Sequence, residues 1–211
     1  MRFKDRAEAG QKLAEKLEKY RGKEAVIYAL PRGGVVLGYE IAKHLKAPLD
    51  LVITRKIGHP NNPEYAVCAI AEDGHMICNE EERSRIESIW FDKKAKDEQE
   101  EAKRRRELYL QGRSESAEGK IAIIVDDGVA TGLTLRLAIK ELKHKQPKRI
   151  VVAVPVAPGE IASELEKEVD EFVVLDIPEF YLGAVSAYYE NFTQVEDEEV
   201  IDLLEKLQKN N

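Results

Sequence analysis

Two adjacent acids, two threonines and a glycine fall together in Asp126-Asp127-Gly128-Val129-Ala130-Thr131-Gly132-Leu133-Thr134. The apolar run Ile121–Val125 before them reads as a buried strand, and the pattern from Leu133 to Lys145 after them reads as a helix. Carboxylates at a strand end accept hydrogen bonds from hydroxyls such as those of a sugar diol. The first turn of a helix carries unpaired backbone N–H groups and the positive end of the helix dipole, which suits phosphate. Gly132 lets the backbone approach a ligand closely, and Thr131 and Thr134 add hydroxyl donors. A diol site beside a phosphate site describes a ribose 5-phosphate. Taken singly, Thr131 also reads as a helix N-cap and either acid as a turn residue. It is the order strand, acids, helix that makes the string specific. Neither GxxxxGK[ST] nor GxGxxG occurs in the chain.

Two further strand ends carry cations. Ala25–Leu30 reads as a strand, followed by Pro31-Arg32-Gly33-Gly34 and a helix over Val35–Leu45. An Arg with two glycines at a helix start makes a second anion cradle, and equally a strand-to-helix turn that needs glycine. Leu49–Thr54 reads as another strand, ending in Arg55-Lys56-Ile57-Gly58.

The elements that must position these residues alternate. Strands over Arg149–Val154 and Phe172–Leu175 flank a helix over Glu160–Glu168, and a helix over Asp197–Lys209 closes the chain. An amphipathic helix over Phe3–Lys19 opens it, and Val67–Ala71 and His75–Cys78 flank a hairpin turn. Apolar strands alternating with helices predict an α/β fold, a doubly wound and mainly parallel sheet. In such sheets ligands sit outside the carboxyl ends of the strands. The expected organisation is one domain over 1–211 with its core at about 20–177. A charged helical lid or insertion occupies about 79–117, and a small variable hood and helix occupy about 178–211. Asn79–Arg113 has only sparse apolar residues and reads as a solvated or mobile helical element.

The run Val125–Thr134 resembles the signature of type I phosphoribosyltransferases that binds phosphoribosyl pyrophosphate (PRPP). It is most similar to the adenine-type version, which also has Ala before Thr-Gly. The resemblance covers about Tyr20–Leu175, though its motifs fill a small part of that. It implies an enzyme that uses PRPP and Mg2+ to transfer a phosphoribosyl group to a nitrogenous base, releasing pyrophosphate. The implied catalytic set is Arg32, Lys56, Asp126 and Asp127. Asp126 and Asp127 would hold the ribose hydroxyls directly or through Mg2+. Ala130, Thr131, Gly132, Leu133 and Thr134 would cradle the 5-phosphate. Arg32, Gly33, Gly34, Arg55 and Lys56 would hold pyrophosphate, and their charges would stabilise the leaving group.

The base hood expected from the resemblance lies in Pro178–Phe192, with Phe180, Tyr188 and Tyr189 as stacking rings. The same rings also read as glue between the terminal helix and the core. Enzymes for 6-oxopurines carry an acid just before Thr-Gly. Ala130 stands there in this chain, which counts against hypoxanthine and guanine. Glu72 falls where adenine-type relatives have an acid near the base, but reads first as a turn carboxylate. Arg104-Arg105-Arg106 reads as a solvated face or as a reach over pyrophosphate. The alternative function on this fold is a non-catalytic sensor of PRPP or nucleotide. A homodimer is the expectation by family analogy.

Composition narrows the partners. The formal net charge of -7 opposes a broad nucleic-acid or membrane surface. The 43% apolar residues suffice for a core, and no run approaches the roughly 18 residues of a membrane span. The charged start Met1–Arg6 is unlike a signal peptide, so a cytoplasmic protein with reduced Cys68 and Cys78 is expected. Many Lys and Glu with few Cys lean towards a thermophilic source, where a Cys68–Cys78 disulfide is the alternative. His44, His59, His75 and His144 show no zinc spacing in the sequence.

Overall fold

The structure, a computed structural model, describes residues 1–209. Its main sheet is parallel, with order β2-β1-β6-β7-β8. The strands are β1 (Ala25–Ala29), β2 (Leu49–Leu51), β6 (Ile121–Val125), β7 (Arg149–Val156) and β8 (Glu171–Asp176). β1 is buried along its whole length, and only the first residue of β6 is not. Strands covered on both faces need apolar residues at every position, so these runs do not alternate.

The two faces carry separate cores. Ala25 and Ile27 point to one face, where α1 (Arg6–Lys16) and α2 (Gly33–Leu45) contribute Leu13, Leu37 and Ile41. Val26 and Tyr28 point to the other, under α5 (Leu133–His144) and α6 (Gly159–Glu166) with Leu135, Leu142 and Leu165. Each fully buried Leu or Ile contributes about 1.5–3 kcal/mol. The fold is therefore α/β and doubly wound. Asp5 caps α1 by accepting from the Glu8 N–H at 2.9 Å.

One strand expectation changes. Leu49–Thr54 is not a single strand: β2 stops at Leu51, and Thr54 begins β3 (Thr54–His59). The reason lies in its neighbour. β1 ends at Ala29, opposite Leu51, and two residues later Pro31 has no N–H to extend the ladder. β3 pairs antiparallel with β4 (Asn62–Ala71), and β4 with β5 (Met76–Cys78), in a second small sheet.

In that sheet Cys68 lies opposite Cys78, and the two are joined in a disulfide with Cα atoms 4.0 Å apart. This replaces the expectation of reduced thiols. The hairpin register, which spacing alone does not fix, makes the bond available.

The charged segment forms α3 (Glu80–Ser84) and α4 (Ser88–Leu110). α4 buries Phe91, Ala95, Glu98, Ala102 and Tyr109 along one stripe. Phe91 and Ala95 pack on the small sheet, while Ala102, Tyr109 and Leu110 pack near α7 (Asp197–Lys209). A stripe that includes two alanines and a glutamate leaves little apolar signal in the sequence. No helix among the described residues is long and apolar enough to cross a membrane.

Candidate active site at the strand ends

β1 and β6 are neighbours in the sheet, but the chain leaves β1 towards β2 and leaves β6 towards β7. This is the topological switch point, where a crevice opens between diverging connections. Pro31–Gly33 follows β1 and Asp126–Gly132 follows β6, so both sequence motifs face one cavity of about 480 Å³, while Gly34 packs on the Val125 carbonyl behind it. Arg32, Gly33, Arg55, Lys56, Asp126, Asp127, Ala130, Thr131, Gly132 and Thr134 all line it. Leu133 opens α5 behind them.

Close backbone approach holds the two loops together. The Leu30 N–H donates to the Val125 carbonyl at 2.9 Å. A Cβ on Gly34 would stand 2.8 Å from that same carbonyl oxygen, so any side chain there forces the loops apart. Gly132 is the N-cap of α5 with φ +76, a left-handed conformation that glycine adopts without strain. The first N–H groups of α5, which have no partner within the helix, belong to a turn whose Gly132, Thr134 and Leu135 line the cavity.

The two acids differ in their surroundings. Asp126 accepts from the Asp127 N–H at 2.8 Å. Burial raises its carboxyl above the ordinary carboxylate range, and the Asp127 charge adds to this; Lys56 and Arg6 pull the other way. Asp127 is held by an ion pair to Arg6 Nε at 2.7 Å. Tyr189 donates its hydroxyl to the Asp127 carbonyl at 2.7 Å, and burial pushes that phenol well up.

The cations are tethered from outside. Arg32 reaches Glu196 at 3.1 Å and Asp197 at 3.5 Å, both at the start of α7. Arg55 is bound at 2.7 Å to Glu98 of α4, which Lys94 also contacts at 2.6 Å. Burial would raise the Glu98 carboxyl, but hydrogen bonds from Lys94 and Arg55 and their charges hold it below its usual range. Arg105 of α4 lines an adjoining depression with Arg32, Arg55 and Arg6. α4 thus supplies one guanidinium and the carboxylate that orients another.

The expected hood rings fall elsewhere. Tyr188 and Tyr189 are buried in the core, and Phe180 is 79% exposed; none of the three lines the cavity. Gly183, Ala184, Val185, Ser186 and Phe192 form that wall instead. The chain turns there through a short 3-10 segment, Val185–Tyr188, which drives Tyr188 inward onto Tyr181. Glu72 is paired with Arg106 and lies outside the cavity. Arg104 is engaged with Glu101 and Asp197.

Besides the hood wall, two residues of the site, Arg6 and Thr54, escape a reading of the sequence. Arg6 stacks 3.7 Å from the Phe192 ring centre and donates to the Thr193 carbonyl at 2.7 Å. It joins the N-terminal helix, an acid of the site and the hood. A single Arg at a helix start carries no local signal of that. The apolar pattern makes Thr54 the last residue of a strand, and its place on the cavity wall follows from the break after β2.

Residues 3–190 match the family described as phosphoribosyl transferase domain. A Mycobacterium tuberculosis protein, provisionally named a phosphoribosyl transferase and matched in two strains, is 39% identical over 207 residues. The match covers 97% of this chain and 46% of that protein, so the chain spans about half the length of the curated relatives it matches. A solved structure from Thermus thermophilus is 37% identical, with a TM-score of 0.78, covering 98% of this chain and 99% of that one.

Proposed function

This chain belongs to the phosphoribosyl transferase domain family, and from that premise we propose that it binds PRPP at the switch-point cavity and transfers the phosphoribosyl group to a nitrogenous base. The observation that carries this is the facing of the two loops. Asp126, Asp127 and the α5 start line one cavity together with Arg32-Gly33 and Lys56. A diol, a phosphate and a pyrophosphate match these three groups in order.

In this reading the N–H groups after Ala130, with Thr131 and Thr134, take the 5-phosphate. Asp126 and Asp127 accept from the ribose hydroxyls. Arg32, Lys56 and the Gly33–Gly34 backbone take the pyrophosphate, with Arg55 beside them, and stabilise charge as it leaves. The hood wall of Val185 and Phe192 orients the acceptor base. Pyrophosphate departs with the bonding pair of the anomeric C–O bond, a base nitrogen supplies the new pair, and no nucleophilic side chain is used.

The donor set also fits Mg2+. Carboxylate oxygens beside phosphate oxygens suit a hard dication, and one there would offset the burial and the Asp127 charge that raise Asp126. Asp126 and Asp127 would hold it, directly or through water. Its contribution is to neutralise pyrophosphate charge. Ala130 places no acid on the base side of the phosphate loop, which supports an acceptor other than a 6-oxopurine.

Isothermal titration of PRPP with and without Mg2+, on wild type and on Asp126→Asn/Asp127→Asn, tests the reading. Mg2+-dependent binding that the double variant loses is expected. No binding to wild type at millimolar PRPP overturns it. A screen of bases for pyrophosphate release then separates an enzyme from a PRPP sensor.

A further inference from the structure

Away from the cavity, the β4–β5 turn meets the far end of α5. Glu141 and His144 sit three residues apart on α5, hence on one face, and His75 of the hairpin faces them. One ligand atom from each of these three side chains lies within 4.8 Å of the other two. His75 Nδ1 is 3.1 Å from Glu141 Oε1 and 3.0 Å from Asp73 Oδ2. The His75 and His144 rings are 5.9 Å apart, edge to face.

One His75 nitrogen meets two carboxylates. A neutral imidazole nitrogen carries at most one proton, yet Nδ1 faces two carboxylate oxygens. Two imidazoles and a carboxylate around one point are ligands for a borderline dication, whereas Mg2+ favours oxygen alone. Ligands bound at about 2.1 Å in a tetrahedron stand about 3.4 Å apart. The Glu141–His75 spacing is already near that value. His75 and His144 are at the surface, so small side-chain rotations close the rest.

We infer that His75, Glu141 and His144, with Asp73 at the edge, bind a transition-metal dication of the Zn2+ type at a site separate from the PRPP cavity. The ion staples the β4–β5 hairpin to α5. That contact has a consequence for the cavity. Ala69 of β4 pairs with Lys56 of β3, and Ala69, Ala71 and Leu137 form the apolar seam between hairpin and helix. α5 begins at the phosphate loop. A metal at the outer end of the seam therefore fixes the spacing between Lys56 and that loop. The metal site itself stands whether or not PRPP is the ligand of the cavity.

The test uses the full chain, stripped of metal and kept oxidised, so that Cys68 and Cys78 stay paired and add no thiolate ligand. Zn2+ is titrated calorimetrically into wild type, His75→Ala, His144→Ala and a control, His44→Ala, whose histidine pairs with Glu18 elsewhere. These side chains are at the surface or half-buried, so the variants keep the fold, and circular dichroism checks this. The expected result is one equivalent bound by wild type and by His44→Ala, with affinity lower by about tenfold or more in the other two. Excess Mg2+ does not displace the ion. Thermal melting rises with Zn2+ in wild type and not in His144→Ala. No uptake by wild type, or equal uptake by wild type and His144→Ala, overturns the site and leaves a hydrogen-bonded histidine cluster in its place.

Discussion

Arg6 offers the sharpest test of how the cavity is held together, because its partner is a site acid 121 residues away. The side chains of the Arg6–Asp127 pair are 11% and 17% exposed. Exposed pairs contribute about 0.2–1 kcal/mol, and removing one partner of a buried pair costs about 3–5 kcal/mol. This pair is shielded by protein on one side and open to the cavity on the other, so its loss should cost about 2–3 kcal/mol. Arg6→Ala also removes the stack on Phe192, a further loss of about 0.5–2 kcal/mol. It leaves Asp127 unpaired beside Asp126. Asp127→Asn should cost less, because Arg6 keeps its stack on Phe192 and its bond to the Thr193 carbonyl. Urea unfolding of wild type, both single variants and Arg6→Ala/Asp127→Asn yields the interaction free energy directly. A coupling of about 2 kcal/mol is expected, falling only partly with added salt. A coupling under about 0.5 kcal/mol would refute the argument, since additivity at that level describes sites that do not interact.

Other outcomes follow from the same geometry. Burial, with the Asp127 charge beside it, raises the folded Asp126 carboxyl above its ordinary 3.8. The folded state then retains a proton that the unfolded state has released, so stability from this group is lost as pH rises from that ordinary value towards the folded one. Asp126→Asn should therefore melt higher than wild type at about pH 8, with the gap closing towards about pH 4, and should lose PRPP binding; equal melting across the range contradicts this. Glu98, Asp197 and Glu171 are lowered, and Glu101 is lowered to about 2 by hydrogen bonds from Arg104 and Arg105. These groups add stability that is complete above their unfolded values near 4.5 and 3.8 and is lost as pH falls towards about 2, so melting should drop steeply on the acid side. Gly34→Ala, whose Cβ meets the Val125 carbonyl at 2.8 Å, should destabilise by about 1–3 kcal/mol in urea and weaken PRPP binding. Reducing the Cys68–Cys78 bond, which closes a separation of 10 residues, should cost about 2–3 kcal/mol, read as a lower melting temperature that Cys78→Ala no longer shows on adding reductant.

The loops that carry the proposed chemistry were legible because they are local. An apolar strand, a turn with acids or glycine and a helix start are contiguous in the chain. The backbone N–H groups that would bind phosphate belong to the same few residues that spell the motif. Five apolar runs with helices between them likewise settled the parallel sheet, since strands covered on both faces need apolar residues throughout. What the sequence left open depends on residues far apart. The Arg6–Asp127 pair and the His75–Glu141–His144 group each join separate elements. The break after Leu51 depends on where β1 ends, and the inward turn of Tyr188 and Tyr189 depends on the hood's path over Gly128. The stripe that seats α4 uses alanines and a paired glutamate, whose burial is decided by the partner surface and not by their own hydrophobicity. Local pattern reports what a segment can form; which side chains meet across the cavity is fixed only when the sheet brings its strand ends together.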